Sequence, residues 1–399
     1  MNVPPSLRVH SFRWFAGVQF VSQCGWWAEY FGKNMLVYRN EGLLGLFVVV
    51  IMTTFARAAT ALWGGRLVDR FSRWSVVVWT QRLLMGEALV LCLLQGIGLL
   101  SIWVLWGMAA FASLVGGVNA SAVGAVVRDL LDERVYANGL WVNSFVFNIA
   151  GALGSLLGGV FSNPQWVMWL FAFNAVSYLP MLNFLSRMKA KRSEQVAKVE
   201  RVDKAPLSPA LRYIRGHREV RWALYFSIVS TVCCTNGNLM QPLIADKLLG
   251  GPQAYALLLG ANCAGPVLFT LLQMRGKKNA TLGRLFISTA LYGGLGVLYG
   301  ASSWIPLSMV ALAGACGGNC VTQVMTTALV MSGKDRALDG RIQGIMQAIS
   351  IGGGALSSML ASGGVVLYGV RFVAVGAPLL LLCIAIVLWV IYLRSSRKL

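Results

Sequence analysis

The sequence predicts an all-α membrane protein of twelve transmembrane helices, arranged as two six-helix pseudo-repeats. Three observations carry that reading. The first is composition: of 399 residues, 57% are hydrophobic and 12% charged, with a mean hydropathy of +0.67. A soluble domain carries about 25% charged residues, so so apolar a chain is not a cytosolic enzyme, a disordered segment or an ordinary nucleic-acid binder. The second is the length of the apolar runs. A spanning helix takes about 20 apolar residues. Val365 to Leu393, broken only by Arg371, is such a run, and it lacks the ~10-residue alternation of a membrane barrel. The third is symmetry, because one long polar stretch, Arg187 to Arg221, divides the chain into two nearly equal portions.

Apolar runs between polar turns place the first six spans at 12–38, 43–63, 75–95, 100–124, 137–161 and 165–185. The second six fall at 222–245, 254–274, 282–301, 305–330, 342–368 and 371–393. The 34 Lys and Arg residues lie almost entirely in the two tails and every second loop. Only Lys33, Arg39, Lys247 and Arg371 fall on the opposite side, and Arg57 and Arg82 fall within spans. By the positive-inside rule both termini are expected in the cytoplasm. The net charge of +20 then faces anionic lipid rather than nucleic acid. Arg8 and Arg13 lead straight into a full-length span, so no cleavable signal is expected. The eight cysteines sit within spans as small hydrophobes; without a C-x-x-C and with only two histidines, neither a metal nor another cofactor is expected.

The predicted domains are a six-helix bundle at 1–186, a cytoplasmic linker at 187–221 and a second six-helix bundle at 222–399. An internal echo supports duplication: Gly151-Ala152-Leu153-Gly154-Ser155 in the fifth span returns as Gly354-Ala355-Leu356-Ser357-Ser358 in the eleventh. In the linker, Ser208-Pro209 reads as a helix start. Leu207, Leu211 and Ile214 then share one face and Arg212, Arg215 and Arg218 another, the pattern of a short amphipathic helix on the inner leaflet.

Between the second and third spans stands Gly64-Gly65-Arg66-Leu67-Val68-Asp69-Arg70-Phe71-Ser72-Arg73. It resembles the G-x-L-x-D-R-x-G-R loop of the major facilitator superfamily, with Ser72 at the usual glycine and Trp74 at the usual base. Gly65 permits close packing of helix ends, Asp69 can accept hydrogen bonds or face a helix N-terminus, and Arg70 and Arg73 hold the loop to its neighbours. Arg128, at the inner end of the fourth span, is the expected partner of Asp69. The matching loop of the second half, Arg275-Gly276-Lys277-Lys278, has no acid, which makes the latch one-sided. A narrower resemblance, to the enterobactin-exporter-like branch, rests on Tyr136-Ala137-Asn138-Gly139, Leu157-Gly158-Gly159 and Phe173-Asn174-Ala175-Val176-Ser177-Tyr178. Leu211-Arg212-Tyr213-Ile214-Arg215 and Pro242-Leu243 extend it. That branch implies a monomeric secondary transporter of the bacterial inner membrane, for siderophores or macrolide-type drugs.

Ionisable groups in a span are costly and therefore functional candidates. The first half offers Glu29, Lys33, Arg57, Arg82 and Glu87. Glu29 and Lys33 stand four apart in the favoured order for a helical ion pair. They form either a proton or substrate switch or a neutralised pair near the outer interface. The resemblance places a Gly-Asp where Gly25-Trp26 stands here, so the acid sits one turn further on, at Glu29. Arg57 either pairs with an acid or snorkels, and Arg82, nearer the inner edge, snorkels. The resemblance puts the third span, and Glu87, away from the cavity.

Neutral polar stripes mark candidate cavity walls. They are Gln19, Gln23, Trp27 and Tyr30 in the first span, and Thr231, Thr235, Asn238 and Pro242 in the seventh. Asn319, Gln323 and Thr327 follow in the tenth, and Gln343, Gln347 and Ser350 in the eleventh. Interhelical hydrogen bonding is the alternative use of such residues. An intramembrane enzyme would need H-E-x-x-H, G-x-S-x-G or a histidine in a span, and none occurs. No G-x-x-x-x-G-K-[ST] is present to use ATP. Secondary transport driven by protons remains, and the resemblance implies an exporter of a siderophore-like or other small amphipathic molecule. The alternatives are a multidrug or macrolide-type pump, a siderophore importer and a lysophospholipid flippase.

Overall fold

The computed structural model describes residues 4–70, 73–192, 208–233, 237–274, 281–330 and 339–396. A 3₁₀ turn, Pro5–Arg8, precedes thirteen α-helices, and there is no strand among the described residues. In the first half these are α1 (His10–Arg70), α2 (Arg73–Gly96), α3 (Ile102–Leu130), α4 (Glu133–Val160) and α5 (Val167–Arg192). The second half begins with α6 (Ser208–Gly216), α7 (Arg218–Val232), α8 (Gly237–Leu248) and α9 (Pro252–Met274). It continues through α10 (Leu282–Ala301), α11 (Ile305–Val330), α12 (Asp339–Tyr368) and α13 (Val370–Ser396).

Ten helices among the described residues are long and apolar enough to cross a membrane, against twelve predicted spans, and two local features explain the difference. The first two spans run together in α1. Its apolar portion, His10–Arg57, is 48 residues long, which at about 1.5 Å per residue suffices for two crossings. The arms part at Gly42 (φ 58°, ψ −139°), a left-handed conformation that glycine adopts without a Cβ clash. The predicted seventh span is instead divided into α7 and α8, each too short to cross alone.

The chain divides into two compact units, Met1–Val202 and Asp203–Leu399. In the first, α1 packs on α3, α4 and α5, and α2 on α3 and α5. In the second, α10 packs on α11 and α13, α9 on α11, and α7 on α11, α12 and α13. α2 packs on α3 and α5 as α10 packs on α11 and α13, so the third span meets the fourth and sixth in both units. The echoed pentapeptides also share a local bond: Ser155 Oγ donates to the Gly151 carbonyl at 2.7 Å, and Ser358 Oγ to the Gly354 carbonyl at 2.8 Å. Large apolar side chains such as Trp103, Val160, Val310 and Val366 are exposed, as expected where hydrocarbon is the solvent.

The amphipathic helix forms as α6, but part of its apolar side meets protein rather than lipid alone. Tyr213 and Ile214 pack on the core of the second unit, while Arg212 and Arg215 are exposed. Leu207 and the side chain of Leu211 lie outside the described residues.

Candidate functional site

Three charged side chains are buried among the described residues, and all three belong to the first unit and meet one another. Lys33 Nζ lies 2.5 Å from Glu29 Oε1 and 2.9 Å from Glu87 Oε1. Glu29 and Lys33 are one turn apart on α1, while Glu87 reaches them from α2. A third helix completes the cluster: Asn174 Nδ2 on α5 donates to Glu29 Oε2 at 2.5 Å. Ser177 Oγ donates to the Asn174 carbonyl at 2.7 Å, and the adjacent Tyr178 is buried with Leu84 of α2. Gly25 makes the approach possible, because a Cβ there would overlap Ser177 Oγ and stand 2.7 Å from Asn174 Oδ1. The cluster therefore ties α1, α2 and α5 together through charge-assisted bonds, the stronger kind of hydrogen bond.

This arrangement revises the pairwise reading. Lys33 is buried within the first unit, with the carboxylates of both Glu29 and Glu87 against its ammonium. Glu87, expected apart from the site, closes the cluster from a helix 54 residues away in sequence. Fully ionised, two carboxylates and one ammonium leave a net charge of −1 in a dry environment, and a single bound proton cancels it.

The predicted stripe on α1 is present beside the cluster. At about 100° per residue, Gln19, Gln23, Trp27 and Tyr30 share an arc of about 80°, and Asn34 extends it by another turn. Gln19 and Asn34 are 6% and 3% exposed. Gln19 Oε1, Gln23 Oε1, Trp27 Nε1 and Asn34 Nδ2 are each buried without a hydrogen-bond partner among the described residues. Trp26 stacks on Tyr30 at 5.5 Å and 18°, and Trp27 meets Trp26 edge-on and Phe147 of α4 at 5.5 Å. Gly154 on α4 lets that helix close on Trp27, whose Cβ would lie 2.8 Å from a Cβ at the glycine.

The remaining candidates are not drawn into this site. Arg57 is exposed, and Arg82 is exposed with its guanidinium 5.3 Å from the Trp79 ring centroid. Asn319 and Gln323 are half-buried on α11, with Thr327 Oγ1 donating to the Gln323 carbonyl at 2.9 Å. Thr231 donates to the Ser227 carbonyl at 2.8 Å, and Ser350 is exposed. Thr235 and the side chains of Asn238, Gln343 and Gln347 lie outside the described residues, as do those of Asp69, Arg70, Arg73 and Arg128 in the predicted latch; the Gly65 environment lies outside them too. No group of three or more metal-ligating side chains occurs among the described residues.

Sequence and structure comparisons agree with this architecture. A family model described as transmembrane secretion effector matches residues 3–398. No curated protein sequence matches the chain significantly. Among solved structures, the POT family transporter PepTSo aligns with a TM-score of 0.68 at 14% identity, covering 100% of this chain and 99% of that one. A D-xylose-proton symporter aligns at 0.67 and 12% identity, covering 94% and 97%. The human organic anion transporter MFSD10 aligns at 0.63 and 15% identity, covering 97% and 100%. At these identities the likeness establishes the fold alone. Taken with the family match over nearly the whole chain, it identifies this protein as a member of the transmembrane secretion effector family and a multi-pass membrane transporter of the major facilitator type.

Proposed function

We propose that this chain is a proton-coupled secondary transporter that exports a small amphipathic molecule by alternating access, with Glu29, Lys33 and Glu87 as its coupling site. The observation that carries the reading is that two buried carboxylates share one buried ammonium. Burying an uncompensated charge costs several kcal/mol, so the cluster has a neutral state with one proton bound and a charged state without it. The three residues and Asn174 come from three helices, and protonating either carboxylate weakens its tie to Lys33. Proton occupancy thereby biases how α1, α2 and α5 hold together, which is the two-state element that coupling requires.

Export, a siderophore-like cargo, the bacterial inner membrane with both termini cytoplasmic, and a monomeric state are carried by the sequence resemblance and the distribution of basic residues. On this reading Asn238, Asn319, Gln323 and Gln347 contact cargo from the second unit. Asp69 and Arg128 latch one cytoplasm-closed arrangement with Gly65, Arg70 and Arg73, and Arg57 snorkels near that latch. The test is transport in proteoliposomes under an imposed pH gradient. Glu29→Gln and Glu87→Gln are each expected to abolish gradient-driven accumulation while leaving energy-independent exchange intact. An undiminished gradient response in both variants refutes the coupling assignment.

A further inference from the structure

Resting on the transport reading, the geometry points to an organic cation with a flat aromatic body as the cargo class bound by the α1 stripe. Four buried polar groups in one row have no hydrogen-bond partner among the described residues, and each carries the desolvation cost of an unmade bond. A bound molecule with its own donors and acceptors removes that cost. Gln19 lies 94% buried at one end of the row, and Asn34, 97% buried, closes it at the other. Between these ends stand half-buried aromatic rings. Trp26 and Tyr30 offer a parallel pair of faces, Trp27 stands across them, and Phe147, 38% exposed, closes the α4 side. Stacked and crossed rings of this kind hold planar aromatic molecules, and their faces attract cations.

Charge selects between cations and anions. No Lys or Arg belongs to the stripe, and Lys33, on the same helix, is engaged by Glu29 and Glu87. An anionic group entering the stripe finds no opposite charge, and it meets a neighbouring cluster that carries two carboxylates for one ammonium. A cation meets the ring faces and the attractive side of that same cluster. The cluster lies roughly 100° around α1 from the centre of the stripe, so cargo and proton occupy adjacent faces of one helix rather than one shared site.

Rhodamine 6G and fluorescein test this, because they share a xanthene ring system and differ in the sign of their charge. Each dye is titrated against the full chain in phosphatidylcholine nanodiscs, with empty nanodiscs subtracted and no gradient imposed. Rhodamine 6G is expected to bind about tenfold tighter or more than fluorescein. Trp26→Ala and Trp27→Ala should each weaken it by about tenfold, and Trp27→Phe, which keeps a ring and loses the N–H, by a few-fold. Equal or tighter binding of fluorescein overturns the assignment on the unaltered protein, whatever the variants do. Rhodamine 6G affinity within about twofold of the parent in both alanine variants overturns it as well. Because no gradient is used, a dye ranking as expected alongside an undiminished gradient response in Glu29→Gln and Glu87→Gln refutes the coupling site alone. The reverse pattern refutes the cargo class alone.

Discussion

In both units the third span packs on the fourth and sixth, yet among the described residues only the first unit buries charged side chains. Between α1, α2 and α5 of the first unit lie Glu29, Lys33 and Glu87. In the second unit α7, α10, α11 and α13 share an apolar cluster that includes Val229, Tyr292, Ala315, Leu381 and Ile384, and no charged side chain is buried there among the described residues. Where both units place polar side chains, the bonds are alike and neutral. Thr80 on α2 donates to Asn119 on α3 at 2.9 Å, and Ser288 on α10 meets Thr322 on α11 at 2.9 Å. Helix packing alone thus needs only hydroxyls, amides and glycines, as the second unit shows. A buried ion cluster adds no packing that apolar side chains of similar volume could not supply, and it carries a desolvation penalty. Among the described residues such a cluster occurs in the first unit, where the proposed coupling site lies.

The largest expected effect comes from removing the one cation. Lys33→Met leaves two carboxylates without a counter-charge, a change worth about 3–5 kcal/mol when a buried pair is broken. The folded protein then holds a proton more firmly than the unfolded chain does. Its stability should therefore be present at low pH and lost as pH rises, relative to the parent. Thermal melting in detergent across a pH series measures this, and a pH-independent deficit would show that the cluster does not titrate.

Asn174→Ala removes one charge-assisted bond to Glu29 and should cost about 1.5–3 kcal/mol. It should also shift the pH midpoint of transport without abolishing transport, which a pH–rate profile resolves. A matched pair of glycine substitutions sharpens the contrast between the units. Gly25→Val pushes into Ser177 and Asn174, and Gly300→Val into the Ala374 carbonyl. Overpacking should lower stability by about 1–3 kcal/mol in each, but only Gly25→Val should move the pH profile. Ser288→Ala is expected to be mildest, at about 1 kcal/mol for one neutral bond, with the pH profile unchanged.

Much of the fold was legible because spans are written in hydropathy and loops in charge. The turn near Gly42 lay in the gap between the first two predicted spans, although hydropathy did not tell a kink from a loop. The division into α7 and α8 was missed because Thr235 and Asn238 read as the polar stripe of one span; the nearby Asn236-Gly237 dipeptide, a common turn signal, was the available clue. At the site, helical periodicity found the Glu29–Lys33 pair and the stripe from Gln19 to Tyr30, since both lie within one helix. It could not find Glu87 or Asn174, whose contacts cross between helices. A charge count had little power there, because Arg57 and Arg82 also fall within spans of the first half and the count does not say which base the two acids meet. Asn174 stood inside the Phe173–Tyr178 pattern, but nothing in its spacing revealed a bond to Glu29.

The central claim, that one of two carboxylates around Lys33 takes up a proton, is tested most directly by infrared difference spectroscopy on the full chain as pH is lowered. The account predicts a carbonyl-stretch band of a protonated carboxylic acid that appears in the parent protein and is lost or displaced in both Glu29→Gln and Glu87→Gln. Absence of the band from the parent, or its persistence unchanged in both variants, would contradict the account.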